Sequence, residues 1–436
     1  MSWLQRKRLG AFLKNSLWIL PVASMLAALI CAPLTRGLDH LLRLPFLDFG
    51  IQGARAAMGM IAGAMLTFVV FFFSVVLLTV QIASGNLSPR IIARPFQLPV
   101  LKVSLSLFVF TFAYGIATLG RLEERVNQLQ VFVTLLLSIA SVGIFLFVVE
   151  HVGKTLRPVS VVTAVAREGY AVIQNIYPLP LSSTSIPAMN VSLLLKENAA
   201  RTISHKGRPG VIVAFDARGL TELAELHACI IEIVPQVGDF VGAGAPLFRV
   251  YFAGSQIGDN DMRRLIALGP ERTMEQDPAF AFRIIVDIAE KALSPAINDP
   301  TTGVLSIDQI QFLLQEVGKR DLTTGVVCDG GGKVRLVYRT PDWQDFVLLA
   351  VSEIRQYGAG SIQILRRLRA MLEDLISVLP PERAPLLEQE LDLLHASVEQ
   401  AFPDSRDRER AEIPDSQGLG GNLPMTRSTS LSHIGS

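Results

Sequence analysis

Four stretches of the chain, residues 17–34, 56–82, 100–119 and 131–149, are apolar and nearly free of charge. Each is close to the roughly 20 residues that a helix needs to cross hydrocarbon, so each is read as a membrane span. Together with their connections they make a transmembrane domain over residues 1–176. Helical periodicity resumes at Val159 and stops at Tyr177-Pro178, which predicts a fourth span that continues as a longer helix into the cytoplasm. A Pro- and Ser-rich linker is expected over 177–205. Over 206–256 the pattern changes to short alternating runs punctuated by glycine, as in Gly210-Val-Ile-Val-Ala-Phe and Cys229-Ile-Ile-Glu-Ile-Val, which predicts a compact β unit. Residues 257–402 read as a mostly helical α+β domain. It contains a strand turn at Asp329-Gly-Gly-Gly-Lys333 and amphipathic helices over 343–357, 361–378 and 384–401. From residue 403 to 436 the chain is charged, then rich in Ser and Gly, and a disordered tail is expected.

Basic residues orient the spans. Arg6, Lys7, Arg8 and Lys14 precede the first, Arg90, Arg94 and Lys102 lie between the second and third, and Lys154, Arg157 and Arg167 follow the fourth. The other connections hold only Arg36, Arg43, Arg55, Arg121 and Arg125. Ten against five places both termini in the cytoplasm of a bacterial inner-membrane protein. Although Arg6, Lys7 and Arg8 give the first span the look of a signal peptide, Cys31-Ala-Pro-Leu34 is a poor cleavage site and more spans follow. The first span is therefore read as a retained helix, kinked near Pro21.

Composition agrees with a membrane protein, since only 18% of residues are charged against about 25% in soluble chains. A net charge of +1 offers nothing to attract nucleic acid. Cys31, Cys229 and Cys328 are too scattered for a disulfide framework or a metal motif.

The second span carries the most distinctive chemistry. Gly59 and Gly63 stand at helix-contact spacing, and Ser74, Thr79 and Gln81 gather toward the inner end. Small residues let helices approach and polar ones line interfaces or water, so these five mark a candidate pore or helix interface. The ring-rich run from Thr67 to Phe73 suits lipid or core contact, or a hydrophobic gate. No span has an acidic, basic or histidine residue at mid-membrane, which argues against a buried proton relay.

Residues 75–94, Val-Val-Leu-Leu-Thr-Val-Gln-Ile-Ala-Ser-Gly-Asn-Leu-Ser-Pro-Arg-Ile-Ile-Ala-Arg, resemble a signature of the bacterial predicted membrane proteins catalogued as domain of unknown function 2254. The run 269–302, which includes Asp277-Pro278, Ser294-Pro-Ala-Ile-Asn-Asp-Pro300 and Thr302, resembles that family's most characteristic segment. The resemblance implies four spans plus a soluble region, and brings no activity with it. The β unit in turn resembles the barrel-sandwich domains of biotinyl and lipoyl carriers through Gly238-Asp-Phe-Val and Gly244-Ala-Pro-Leu. Carriers bear their cofactor on a hairpin lysine, and no lysine occurs between Lys206 and Lys291. No cofactor is expected, and an assembly or docking module remains. The expected fold is thus four transmembrane helices plus an α+β cytoplasmic region with a small barrel-sandwich-like β unit and C-terminal helices.

Asp277-Pro278 and Asp299-Pro300 each suit an N-cap followed by proline in the first helical turn, and Arg283 and Asp287, four apart, suit an ion pair. The alternative is that Arg272, Glu275, Arg283, Asp287, Asn298 and Thr302 converge on a polar ligand site. Phosphate-loop, dinucleotide, zinc-protease and serine-hydrolase motifs are all missing, and the six histidines form no close ligand pair. The expectation is a non-enzymatic, homo-oligomeric channel or permeation protein for a small ion, in contact with the lipid bilayer and carrying a cytoplasmic assembly domain. The alternatives are a membrane-tethered sensor or scaffold, and an enzyme with its site around 272–302. A reporter fused after Ser436 is expected to be active only in the cytoplasm, and periplasmic activity would reverse the orientation.

Overall fold

A computed structural model describes residues 3, 10, 12–13, 16–42, 49–86, 99–120, 126–155, 157–181, 199–252, 257–322 and 325–421. The chain divides into two compact units, residues 6–160 and residues 161–436.

In the first unit four helices are long and apolar enough to cross a membrane. They are α1 (Ile19–Leu42), α2 (Ile51–Asn86), α3 (Pro99–Leu119) and α4 (Gln128–Thr155). All four expected spans are present as helices; α2 and α4 extend beyond the expected bounds at both ends, while α1 starts two residues later and runs on to Leu42. The interior proline of α1 is Pro33, whereas Pro21 falls in the first turn, where its missing N–H breaks no helical bond. The expected kink site at Pro21 is thus a helix start.

Helix α3 supplies the centre of this unit. Leu101, Leu105 and Phe108 pack with Phe72 and Val76 of α2 and Val148 of α4. One turn on, Ala113 and Tyr114 meet Ala28 and Ala32 of α1. Ile30, Met60 and Ile139 are instead exposed on the outside, where hydrocarbon would be their solvent.

The fourth span does not run on as one helix. A break at Arg157 separates α4 from α5 (Pro158–Ile176), because Pro158 has no N–H to continue the ladder but is well suited to open a new helix. Within the second unit, α5 buries Val162, Val165, Ala166, Gly169 and Ile173.

The strands are β1 (Arg201–Ser204), β2 (Gly210–Phe215), β3 (Cys229–Ile233), β4 (Phe240–Val241), β5 (Pro246–Phe252), β6 (Ile266–Gly269), β7 (Val326–Cys328) and β8 (Val334–Val337). They form a five-stranded sheet of order β1-β5-β3-β8-β7 and a three-stranded sheet of order β4-β2-β6. Both sheets are open, so the barrel-like closure expected for 206–256 is replaced by two layers around Ile212, Leu220, Ile231, Phe248 and Val250. The reason is that β8, about a hundred residues downstream, pairs parallel with β3 and occupies the edge that a closed unit would use. The β unit accordingly reaches outside 206–256 at both ends. Of the linker expected over 177–205, β1 is a strand and Leu181 N–H bonds to Lys319 O, while residues 182–198 lie outside the described set.

The helical part comprises α6 (Ala217–Leu226), α7 (Asp259–Arg263), α8 (Pro278–Leu293), α9 (Pro300–Gly318), α10 (Trp343–Tyr357), α11 (Ile362–Val378), α12 (Ala384–Ala401) and α13 (Ser405–Ala411). The three amphipathic helices expected after residue 343 appear as α10, α11 and α12. Helix α8 is the hub, with Phe280, Phe282, Ile285, Ile288 and Ala292 among its buried side chains.

Residues 404–421 correct the expected disorder. Asp404 caps α13, and Arg366 of α11, itself 2% exposed, donates to the carbonyls of Ile413 and Gly420 at 2.8 Å each. The fully buried Asp415 carboxylate accepts from the N–H groups of Gln417, Gly418 and Gly420. Local charge density suggested a solvated tail, but these long-range bonds hold the segment against α11. Residues 422–436 lie outside the described set.

Gly169 marks the tightest helix approach. A Cβ built there would fall 2.5 Å from Ala281 Cβ. Gly169→Leu is therefore expected to cost at least about 1–3 kcal/mol by overpacking. A lowered thermal unfolding midpoint of the purified chain would register it, and an unchanged midpoint would show that α5 is free to move off α8.

Candidate functional site

Helix α2 has two faces. Ala54, Met58, Ala62, Met65, Phe72, Val76 and Thr79 recur every three or four residues and are buried. Gly59, Gly63, Ser74 and Gln81 stand on the exposed face, and a Cβ added at either glycine would meet nothing within 4 Å. These glycines therefore do not pack against the chain's own helices. Gly115 of α3 does so instead, since its Cβ would lie 3.7 Å from Ala62 Cβ. Thr79 separates from the other four, turning inward to donate to Val75 O at 2.7 Å. The Ser74 hydroxyl bonds to Val70 O at 3.1 Å, which meets its hydrogen-bonding need without water.

The aromatic run is a packing device more than a ring around the helix. Phe68 stacks on Phe145 of α4 at 4.7 Å and meets Phe108 edge-on at 5.9 Å, while Phe72 meets Phe108 at 6.2 Å. Phe73 is exposed, and so is Phe71, although its ring meets Phe145 edge-on at 5.4 Å.

Several polar groups inside this unit are bonded within it, although the Ser16 hydroxyl is buried without a partner among the described residues. The Thr111 and Ser141 hydroxyls meet at 3.3 Å, Tyr114 meets Thr35 at 2.8 Å, and the Gln130 amide donates to Ala32 O at 2.7 Å. Such bonds are each worth about 1 kcal/mol between membrane helices. Gln130 has no local signal in the sequence, because it stands at the margin of a span and its partner lies 98 residues away.

The signature run resolves into three separate places. At the first, Asp277 is 2% exposed, caps α8 through Phe280 N–H at 3.1 Å and receives Arg272 Nη2 at 2.7 Å. Burial pushes its carboxyl up, and the Arg272 guanidinium opposes that. Glu275 is exposed nearby in sequence.

At the second, Arg283 bonds to Asp287 at 2.5 Å, to Glu290 at 3.1 Å and to Glu353 of α10. One guanidinium thus faces three carboxylates. Burial, then the hydrogen bond with Glu353, pushes the Glu290 carboxyl up to about 7, so these two carboxyls share a proton in the neutral range. The third place is the turn between α8 and α9. Asn298 adopts the left-handed region with φ 49°, and Thr302 gives both its N–H and its hydroxyl to Asp299.

Of the six residues proposed for one ligand site, Arg283 and Asp287 meet in an ion pair. The essential addition, Glu353, lies 70 residues beyond Arg283 and carried no sequence signal. Among the described residues no group of three or more His, Cys, Asp or Glu is arranged to hold a metal ion.

A family model described as "Predicted membrane protein (DUF2254)" matches residues 14–374. The chain is similar to uncharacterized protein Mb1321c of Mycobacterium bovis, at 25% identity over 433 residues, covering 93% of this chain and 80% of the relative. Uncharacterized protein Rv1290c of Mycobacterium tuberculosis matches with the same identity and coverage. No solved structure matches the chain.

The Glu290 carboxyl yields a pH test. It titrates near 7 in the folded chain against 4.5 for the free group. A raised acid contributes stability that is complete below about 4.5 and is lost as pH climbs through 7. Glu290→Gln, which cannot ionise, should flatten the fall in unfolding midpoint across that window. Parallel wild-type and variant profiles would remove the shared proton from the account.

Proposed function

This chain belongs to the predicted membrane protein family DUF2254, and from that premise we propose a homo-oligomeric permeation protein of the bacterial inner membrane, with both termini cytoplasmic. The outward stripe of α2 faces a second copy, and a small ion passes between copies. The soluble unit serves assembly and regulation, and no catalytic step is involved.

One observation carries the reading. Gly59, Gly63, Ser74 and Gln81 fall on the same outward face, spaced four, eleven and seven residues apart. At 1.5 Å per residue they span about 33 Å, the depth of the hydrocarbon layer. The Gln81 amide is exposed and has no hydrogen-bond partner among the described residues. Facing lipid, such an amide costs several kcal/mol, roughly the full transfer penalty. Water or another copy removes that cost. The interior of a single bundle offers less, because its hydroxyls are committed to carbonyls and to each other. A sensor without transport is the second reading, favoured by the carboxyl pair of Glu290 and Glu353.

The test replaces Cys31, Cys229 and Cys328 by serine and introduces Gly63→Cys or Ser74→Cys singly. Either variant should form disulfide-linked dimers in membranes, while Ala62→Cys on the buried face should not. Liposomes holding the purified oligomer should conduct an ion, and Gly59→Leu with Gly63→Leu should reduce both oligomer and flux. A monomer without flux would overturn the reading. An oligomer without flux would leave the sensor.

A further inference from the structure

The soluble unit contains a cleft of about 170 Å³ separate from the Arg283 cluster. Its walls are brought together from the end of α5 (Asn175), the end of β2 (Phe215), the turn after β3 (Gln236), the cap of α8 (Asp277) and the segment after β8 (Tyr338 and Arg339). Phe215 and Tyr338 meet edge-on with ring centroids 4.9 Å apart, so one wall is aromatic. Among the described residues of the lining Asp277 is the only carboxylate, and Arg272 already neutralises it.

What remains is a set of donors. The amides of Asn175 and Gln236, the Tyr338 hydroxyl and the Arg339 guanidinium have no hydrogen-bond partner among the described residues. Among the described residues of the lining, Arg339 is the one uncompensated charge. The N-terminus of α8, a helix of 16 residues, opens on the same cleft and adds a partial positive charge.

We infer that this cleft binds a small organic monocarboxylate with a flat apolar body. The carboxylate takes the fork of the Arg339 guanidinium, a geometry that matches two oxygens. The amides complete its hydrogen bonds, and the ring lies on Phe215 and Tyr338. Size and charge select this class. The volume is below the roughly 300 Å³ of pockets for drug-sized ligands, which fits a single ring and excludes a nucleotide. A phosphate dianion would call for a second free cation, and the described residues of the lining supply none. Occupancy would bridge the end of α5 to the segment after β8, beside the bond from Tyr177 hydroxyl to Pro341 O at 2.9 Å. The inference concerns binding alone and stands independently of the permeation reading.

The test uses the full chain in detergent and titrates benzoate, with benzamide as the neutral isostere and inorganic phosphate as the competing anion, followed by calorimetry. Benzoate should bind saturably, and benzamide and phosphate at least about tenfold more weakly, as the loss of a charge-assisted pair predicts. Arg339→Gln should weaken benzoate by a similar factor. Arg339 is exposed, so the unfolding midpoint of the unliganded variant should stay unchanged. Tyr338→Phe should weaken binding a few-fold through the lost hydroxyl. The proposal is overturned by absence of saturable benzoate binding up to about 20 mM, a range that reaches very weak affinities. Binding that survives Arg339→Gln, or a preference for phosphate, overturns it equally.

Discussion

The burial of α8 is the constraint around which the second unit is arranged. A helix with eleven buried positions in 16 residues leaves almost no surface for its charges, yet it carries Arg283, Asp287 and Glu290. Each would be costly to bury alone, and removing one partner from such a set costs about 3–5 kcal/mol. The unit meets this by gathering the three on one flank and bringing Glu353 from α10 to complete them. Burial, and after it the hydrogen bond with Glu353, keeps the Glu290 carboxyl protonated up to about 7. The N-terminus is handled separately, by Asp277 and Arg272, and the close approach of α5 rests on Gly169 lacking a side chain where Ala281 lies.

In the membrane unit the same need to satisfy polar groups takes another form. Serines and threonines of α3 and α4 return their hydroxyls to carbonyls one turn earlier, as Ser104, Thr111 and Thr134 do. Few polar groups are then left for a neighbour, and Gln81 stands out because it is not provided for. Helix α2 is in this sense divided: one face is committed to α3, and the other offers small and polar residues along the full depth of hydrocarbon. The proposed second copy answers that asymmetry. The cleft lined by Tyr338 presents a parallel case in the second unit, where a neutralised carboxylate leaves one guanidinium and three neutral donors unclaimed among the described residues.

Much of the architecture was legible along the chain. The four spans, the helices after residue 343 and the caps at Asp277 and Asp299 could all be read, because hydrophobic length, helical periodicity and capping are decided by residues within about four positions of each other. The pair of Arg283 and Asp287 belongs here too, since four residues on a helix place them together. What could not be read involved distant partners. Gly59 and Gly63 announce a close approach, but which side of α2 meets α3 is set by the packing of Phe72 and Met58, and that turned the glycines outward. The unity of β3 and β8, the capture of residues 412–421 by Arg366, and the meeting of Arg283 with Glu353 each join segments tens of residues apart. Local sequence specifies an element and its faces. Which face finds which partner was decided only when the tertiary structure buried the apolar surfaces together and brought charges such as Arg283 and Glu353 to their counterparts.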